Sequence, residues 1–127
     1  MQQLALVIVF GALGVTLRYG ISLWALKAVP QAFPWATFVI NIVGAFLMGV
    51  LYVLGLDRIS LAPEIRTGLA AGFLGGFTTF SAYCNESLRL WEGGERVMAA
   101  LYYFGSPAFG LLACYGGVAL MRTLERA

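Results

Sequence analysis

The side chains able to do chemistry in this chain are few, and most are hydrogen-bond donors set in apolar sequence. Thr37 and Asn41 stand four apart, and so do Tyr102 and Ser106. Residues four apart share a helix face. Each pair can therefore bond a neighbouring helix or present two donors to a pore. Arg18 is a fixed cation in a segment with no acid to pair with it. It either snorkels to an interface or gives a wet vestibule a positive potential that attracts anions. Glu86 is the one carboxylate well within an apolar segment. It can pair with Arg89 at i+3 or carry a proton. Phe77, Phe80 and Tyr83 repeat at three-residue spacing. Such a stripe suits core or lipid contact, yet the positive edge of an aromatic ring can also face an anion.

A glycine-rich run adds backbone chemistry: Gly72-Phe73-Leu74-Gly75-Gly76-Phe77-Thr78-Thr79-Phe80-Ser81. Glycine weakens a helix by roughly 1 kcal/mol relative to alanine, and threonine is a modest helix former. The Gly75-Gly76 pair lies close to halfway between Arg66 and Arg89. The run therefore reads as a helix that breaks at mid-membrane. Irregular backbone survives in hydrocarbon only where protein or a water-filled path satisfies its polar groups. A break at that depth is a candidate ion or substrate site.

The elements that must hold these groups follow from composition. The 127 residues are 61% hydrophobic and 11% charged, where soluble domains carry about 25% charged residues. Mean hydropathy is +0.85. These values specify an all-α integral membrane protein. A net charge of +2 is too small to suggest nucleic acid. Cys84 and Cys114 lie in apolar segments without metal-ligand spacing, and no structural disulfide is expected between them. The chain has no histidine, no nucleophile elbow and no phosphate-binding loop. An enzyme is the least favoured class.

A span needs about 20 apolar residues. Four stretches fit, over about 4–26, 35–56, 65–91 and 97–124. Together they make a single transmembrane domain over residues 1–127, with the third helix broken at its middle. The first span lacks a basic n-region and a clear cleavage site, so it reads as retained. Asp57, Glu64, Glu92, Glu95 and Glu125 fall at interfaces. With four spans, Arg58, Arg66, Arg122 and Arg126 share a side with the termini, and Lys27, Arg89, Arg96 and, if it reaches that way, Arg18 lie on the other. Orientation follows the bias in such charges. A four-against-four balance permits insertion both ways and an antiparallel homodimer. A chain this short encloses little alone, so a transport path calls for an oligomer.

The residues also match a known family. The chain resembles the Fluc/CrcB fluoride channels over essentially its whole length. The resemblance is carried by Leu17-Arg18-Tyr19, by Thr37-Phe38-Val39-Ile40-Asn41-Ile42-Val43-Gly44, by the ten-residue run above, and by Gly105-Ser106. It implies an antiparallel homodimer in the cell (inner) membrane, with two fluoride pores and passive export of cytoplasmic fluoride. Asn41 would be a pore-lining amide, with Thr37 one turn before it. Phe80 would turn its ring edge to the ion, and Tyr83 falls where a second phenylalanine normally stands. Tyr102 and Ser106 match the fourth-span polar track. The carbonyls of Gly75 and Thr78 would hold a structural sodium ion on the dimer axis. Arg18 matches a vestibule arginine, and Glu86 an acidic position common in the family. The chain departs from the family at Ala82-Tyr83-Cys84, where Thr-Phe-Ser is usual, and at Pro107. Ala82 removes a hydroxyl from the polar track and Tyr83 adds one.

The main rival is a small dual-topology, proton-coupled multidrug exporter. That class places a central carboxylate in the first span, where this chain carries Arg18. A non-transporting assembly subunit is the other rival, for which the small residues would serve packing alone.

Overall fold

A computed structural model describes residues 1–57 and 61–126. Arg58, one of the eight charges in the topology balance, lies outside the described residues, as do the side chains of Asp57 and Glu125. The regular structure among the described residues is entirely helical. Helices α1 (Gln2–Ala28), α2 (Trp35–Asp57) and α6 (Arg96–Arg126) are each long and apolar enough to cross a membrane. The end of α1 is set by Pro30. The residue before a proline is pushed to extended backbone, and Val29 adopts φ −128°, ψ 151°.

The third apolar stretch is built differently. It opens with α3 (Pro63–Thr67), whose first position is a proline, where the missing N–H is no loss. It widens into a π-helical segment (Gly68–Leu74) and closes with one turn, α4 (Gly75–Phe77). Two extended residues follow, Thr78 (φ −82°, ψ 159°) and Thr79 (φ −149°, ψ 116°). Helix α5 (Phe80–Glu92) then completes the stretch. Gly94, at φ +85°, supplies the turn into α6 with a conformation that side chains resist.

The break therefore falls at the threonines and not at the glycine pair. Gly75 keeps helical dihedrals of φ −64° and ψ −36°. Close packing explains why Gly76 is there. A β-carbon on Gly76 would sit 2.7 Å from the Gly11 carbonyl oxygen of α1. The threonines are β-branched and suit extended backbone.

Close approach recurs elsewhere. Helix α1 packs on the π segment and α4, α2 on α6, and α5 on α6. On the α2–α6 seam, a β-carbon on Gly49 would overlap the Cys114 carbonyl, and one on Gly117 would overlap the Phe46 carbonyl. Small residues let helix backbones meet in this way in membranes. The most deeply buried large side chains are Tyr102, Ile40 and Val53, on α6 and α2. Large apolar side chains such as Ile8, Trp24, Phe104 and Leu111 are exposed, as hydrocarbon contact requires.

Candidate functional site

The break needs partners for its peptide groups, and α2 supplies them. The Asn41 Nδ2 donates to the Thr79 carbonyl at 3.0 Å, and the Thr79 amide donates to Asn41 Oδ1 at 2.8 Å. The side-chain amide thus acts as a strand neighbour for one residue. A primary amide has two N–H groups, and the second of Asn41 has no hydrogen-bond partner among the described residues. The Thr79 hydroxyl caps α5 by accepting from the Ala82 amide at 3.3 Å. Thr78 turns its hydroxyl back to the Leu74 carbonyl at 2.9 Å.

The two ends created by the break differ in electrostatics. Helix N-termini carry partial positive charge and C-termini partial negative charge. The N-terminus of α5 begins at Phe80, and the C-terminal end of the first half lies at Gly75–Phe77. Arg18 Nε donates to the Gly76 carbonyl at 3.0 Å, at that negative end. A backbone carbonyl is thus the partner that its own segment could not provide. The Thr79 amide, the ordinary helical donor to the Gly75 carbonyl, is spent on Asn41 instead. The Gly75 carbonyl has therefore lost its helical partner, and Gly75 is exposed.

A second cluster joins three helices. Glu86 accepts from the Thr37 hydroxyl at 2.7 Å and from the Tyr102 hydroxyl at 2.6 Å. The carboxylate bonds these hydroxyls rather than Arg89. Tyr102 is fully buried, and its ring stands edge-on to Phe33 at 5.3 Å.

The other residues singled out from the sequence meet at an open groove of about 420 Å³, lined among others by Asn41, Thr79, Phe80, Tyr83, Ser106 and Pro107. Phe80 is 77% exposed and leans on Tyr83, with ring centroids 5.6 Å apart. The Ser106 hydroxyl oxygen is buried and has no hydrogen-bond partner among the described residues. Tyr83 is buried, and its hydroxyl donates to the Tyr103 carbonyl at 2.6 Å. Helix α6 continues through Pro107.

The geometry groups the residues singled out from the sequence. Asn41, Phe80, Tyr83 and Ser106 share the groove, Thr37, Tyr102 and Glu86 share the carboxylate cluster, and Arg18 sits with Gly75 and Thr78 at the break. Sequence reasoning missed the peptide of Thr79 as the anchor of the break. The carbonyl of Tyr103, which the sequence marks as freed by Pro107 four residues later, takes the Tyr83 hydroxyl.

A family model described as CrcB-like protein, Camphor Resistance (CrcB), matches residues 5–118. The chain belongs to the CrcB family. Its relatives agree along their length. A Rhizobium etli protein named fluoride-specific ion channel FluC is 43% identical over 124 residues, which cover 98% of this chain and 99% of that protein. A protein of the same name from Geotalea daltonii is 41% identical over 122 residues, 96% of this chain and 98% of its own. A third, from Acidithiobacillus ferrooxidans, is 46% identical over 108 residues, 85% of this chain and 86% of its own. The motif resemblance thus extends over nearly the whole CrcB-family chain. The Ala82-Tyr83-Cys84 segment lies in the first turns of α5, with Ala82 serving the cap, Tyr83 buried and Cys84 exposed.

Proposed function

We propose that this chain is a fluoride-selective passive ion channel that lets cytoplasmic fluoride leave the cell. The observation that carries this reading is the near-complete match to relatives named fluoride-specific ion channels. The protein is a multi-pass membrane protein, of the inner membrane in a bacterium. In this reading the two half-helices form a fourth crossing, and two antiparallel copies make two pores. The weak charge bias, four against three once Arg18 is placed at the break, supports that arrangement. So does the exposure of Phe80, whose ring in one copy is left for a partner or an ion.

Fluoride is small and strongly hydrated, so a path must replace its water with donors at weak, repeated sites. The second N–H of Asn41 and the unpartnered hydroxyl of Ser106 are two such donors. The positive ring edges of Phe80 and Tyr83 and the N-terminus of α5 add to them. Thr37 and Tyr102 offer two more hydroxyls, both given to Glu86 at rest. Fluoride and the carboxylate compete for the same protons, so entry requires Glu86 to release them. Arg18 lies at the break, where its charge raises the potential for anions without standing in the donor track.

The Gly75 and Thr78 carbonyls fit a sodium ion in kind. They are neutral oxygens beside a helix C-terminal end, and half-helix carbonyls of this sort suit Na⁺. Gly75 has lost its helical donor. A sodium ion held there would supply positive charge and a tie between the two copies.

Purified protein in liposomes loaded with potassium fluoride should release fluoride when valinomycin is added, with chloride retained. No release, or release that needs a proton gradient, would refute a passive fluoride channel. For the antiparallel pair, Gln31→Cys in a background of Cys84→Ser and Cys114→Ser should react with an impermeant thiol reagent from both membrane faces in comparable amounts. Labelling from one face alone would rule out the antiparallel homodimer.

A further inference from the structure

Tyr83 and Pro107 meet at one atom, the carbonyl oxygen of Tyr103. In an α-helix the carbonyl of Tyr103 accepts from the amide of residue 107. Proline has no such N–H. In hydrocarbon no water is present to take its place. The Tyr83 hydroxyl reaches across from α5 and donates to that carbonyl at 2.6 Å. We propose that Tyr83 and Pro107 are a matched pair, in which the tyrosine hydroxyl replaces the donor that proline removes and so positions the groove wall.

The pairing has consequences for the site. The bond ties α5 to α6 where both residues line the groove beside Phe80 and Ser106. Tyr83 is only 6% exposed, so its ring is held on both sides. The Tyr103 ring lies nearly parallel to it, at 17° and 6.1 Å. The hydroxyl proton is committed to a carbonyl, so it is not offered to an anion. What the groove uses is the ring, in the place this bond assigns. Tyr83 is therefore a positioning residue. Phenylalanine can stand at 83 without loss only when residue 107 regains its N–H. Phenylalanine at 83 leaves the Tyr103 carbonyl bare. Any residue with an N–H at 107 makes the tyrosine hydroxyl redundant.

A mutant cycle on the full chain tests this, read by melting in detergent and by fluoride efflux from liposomes. The efflux arm rests on the channel reading, and the melting arm does not. Tyr83→Phe alone should lower Tm by about 5 °C and slow efflux roughly tenfold, the effect of about 1.4 kcal/mol. In a Pro107→Ala background the same change should lower Tm by less than half as much, and the loss of efflux should shrink at least about threefold. Pro107 is exposed, so Pro107→Leu serves as a second background if the alanine variant misfolds, and it should behave alike. Equal losses from Tyr83→Phe in all backgrounds would overturn the pair and assign the hydroxyl to another partner. Coupled melting with uncoupled efflux would overturn the positioning role. Coupled melting with no efflux from any protein, the native chain included, would support the pair and defeat the channel reading instead.

Discussion

Asn41→Ala should nearly abolish fluoride efflux and strongly destabilise the fold. The substitution leaves the amide and the carbonyl of Thr79 without the partners they have at 2.8 and 3.0 Å. An unmet buried polar group costs about 1–3 kcal/mol, and the bilayer offers no water in compensation. Two such groups shift Tm by more than about 8 °C. The extended threonines are held open by this clamp, so the break closes or shifts when it is lost. A population shift of about 3 kcal/mol is a hundredfold in conducting protein. Asn41→Asp separates the clamp from the path. It keeps an acceptor for the Thr79 amide, loses the donor to the Thr79 carbonyl, and adds a negative charge beside an anion route. It should melt above the alanine variant yet conduct as poorly. Scanning fluorimetry and fluoride-electrode efflux read both variants. Native melting and native efflux in Asn41→Ala would show that something other than this clamp holds the break.

The same clamp explains where sequence reading succeeded and where it failed. The long apolar runs of α1, α2 and α6 identify themselves, because a lipid-facing helix must be apolar over its whole length. Pro30 and Pro63 mark the ends of elements for local reasons, and both marks hold. The break was harder to place. Intrinsic propensity ranks glycine below threonine as a helix former, which points to Gly75-Gly76. Tertiary contacts reverse that order. Gly76 is locked in helix against the Gly11 carbonyl, and Thr79 is drawn out of helix by an amide 38 positions away. No local pattern encodes either contact. Arg18 illustrates a related blind spot. Its segment holds no carboxylate, and its partner is a carbonyl at a broken helix end. Glu86 has an i+3 arginine on its own helix, yet two hydroxyls from other helices take its oxygens. The helix-face arguments survived better. Thr37 and Asn41 do lie along one side of α2, one reaching Glu86 and the other Thr79.

Tyr102→Phe is expected to lower fluoride efflux by about 10- to 100-fold and Tm by about 5–10 °C. The ring is fully buried and phenylalanine fills the same space, so packing against Phe33 is kept. What changes is one O–H at 2.6 Å from Glu86. Removing it acts twice in the same direction. The ion loses a donor that would have replaced water. The carboxylate also loses half of its compensation, so it holds the Thr37 hydroxyl more firmly and yields it less readily. A hydrogen bond to a charged group is worth about 1.5–3 kcal/mol, which sets the range of rates. Thr37→Val should move efflux the same way. The double variant should fall short of the product of the two, because both hydroxyls serve one carboxylate. Glu86→Gln supplies the opposing case. It keeps an acceptor in place but withdraws the charge, so both hydroxyls are held less tightly and Tyr102→Phe should have a smaller effect in that background. Efflux at the native rate from Tyr102→Phe would show that the ion does not use these hydroxyls. An equal loss in the Glu86→Gln background would show that the carboxylate does not control them.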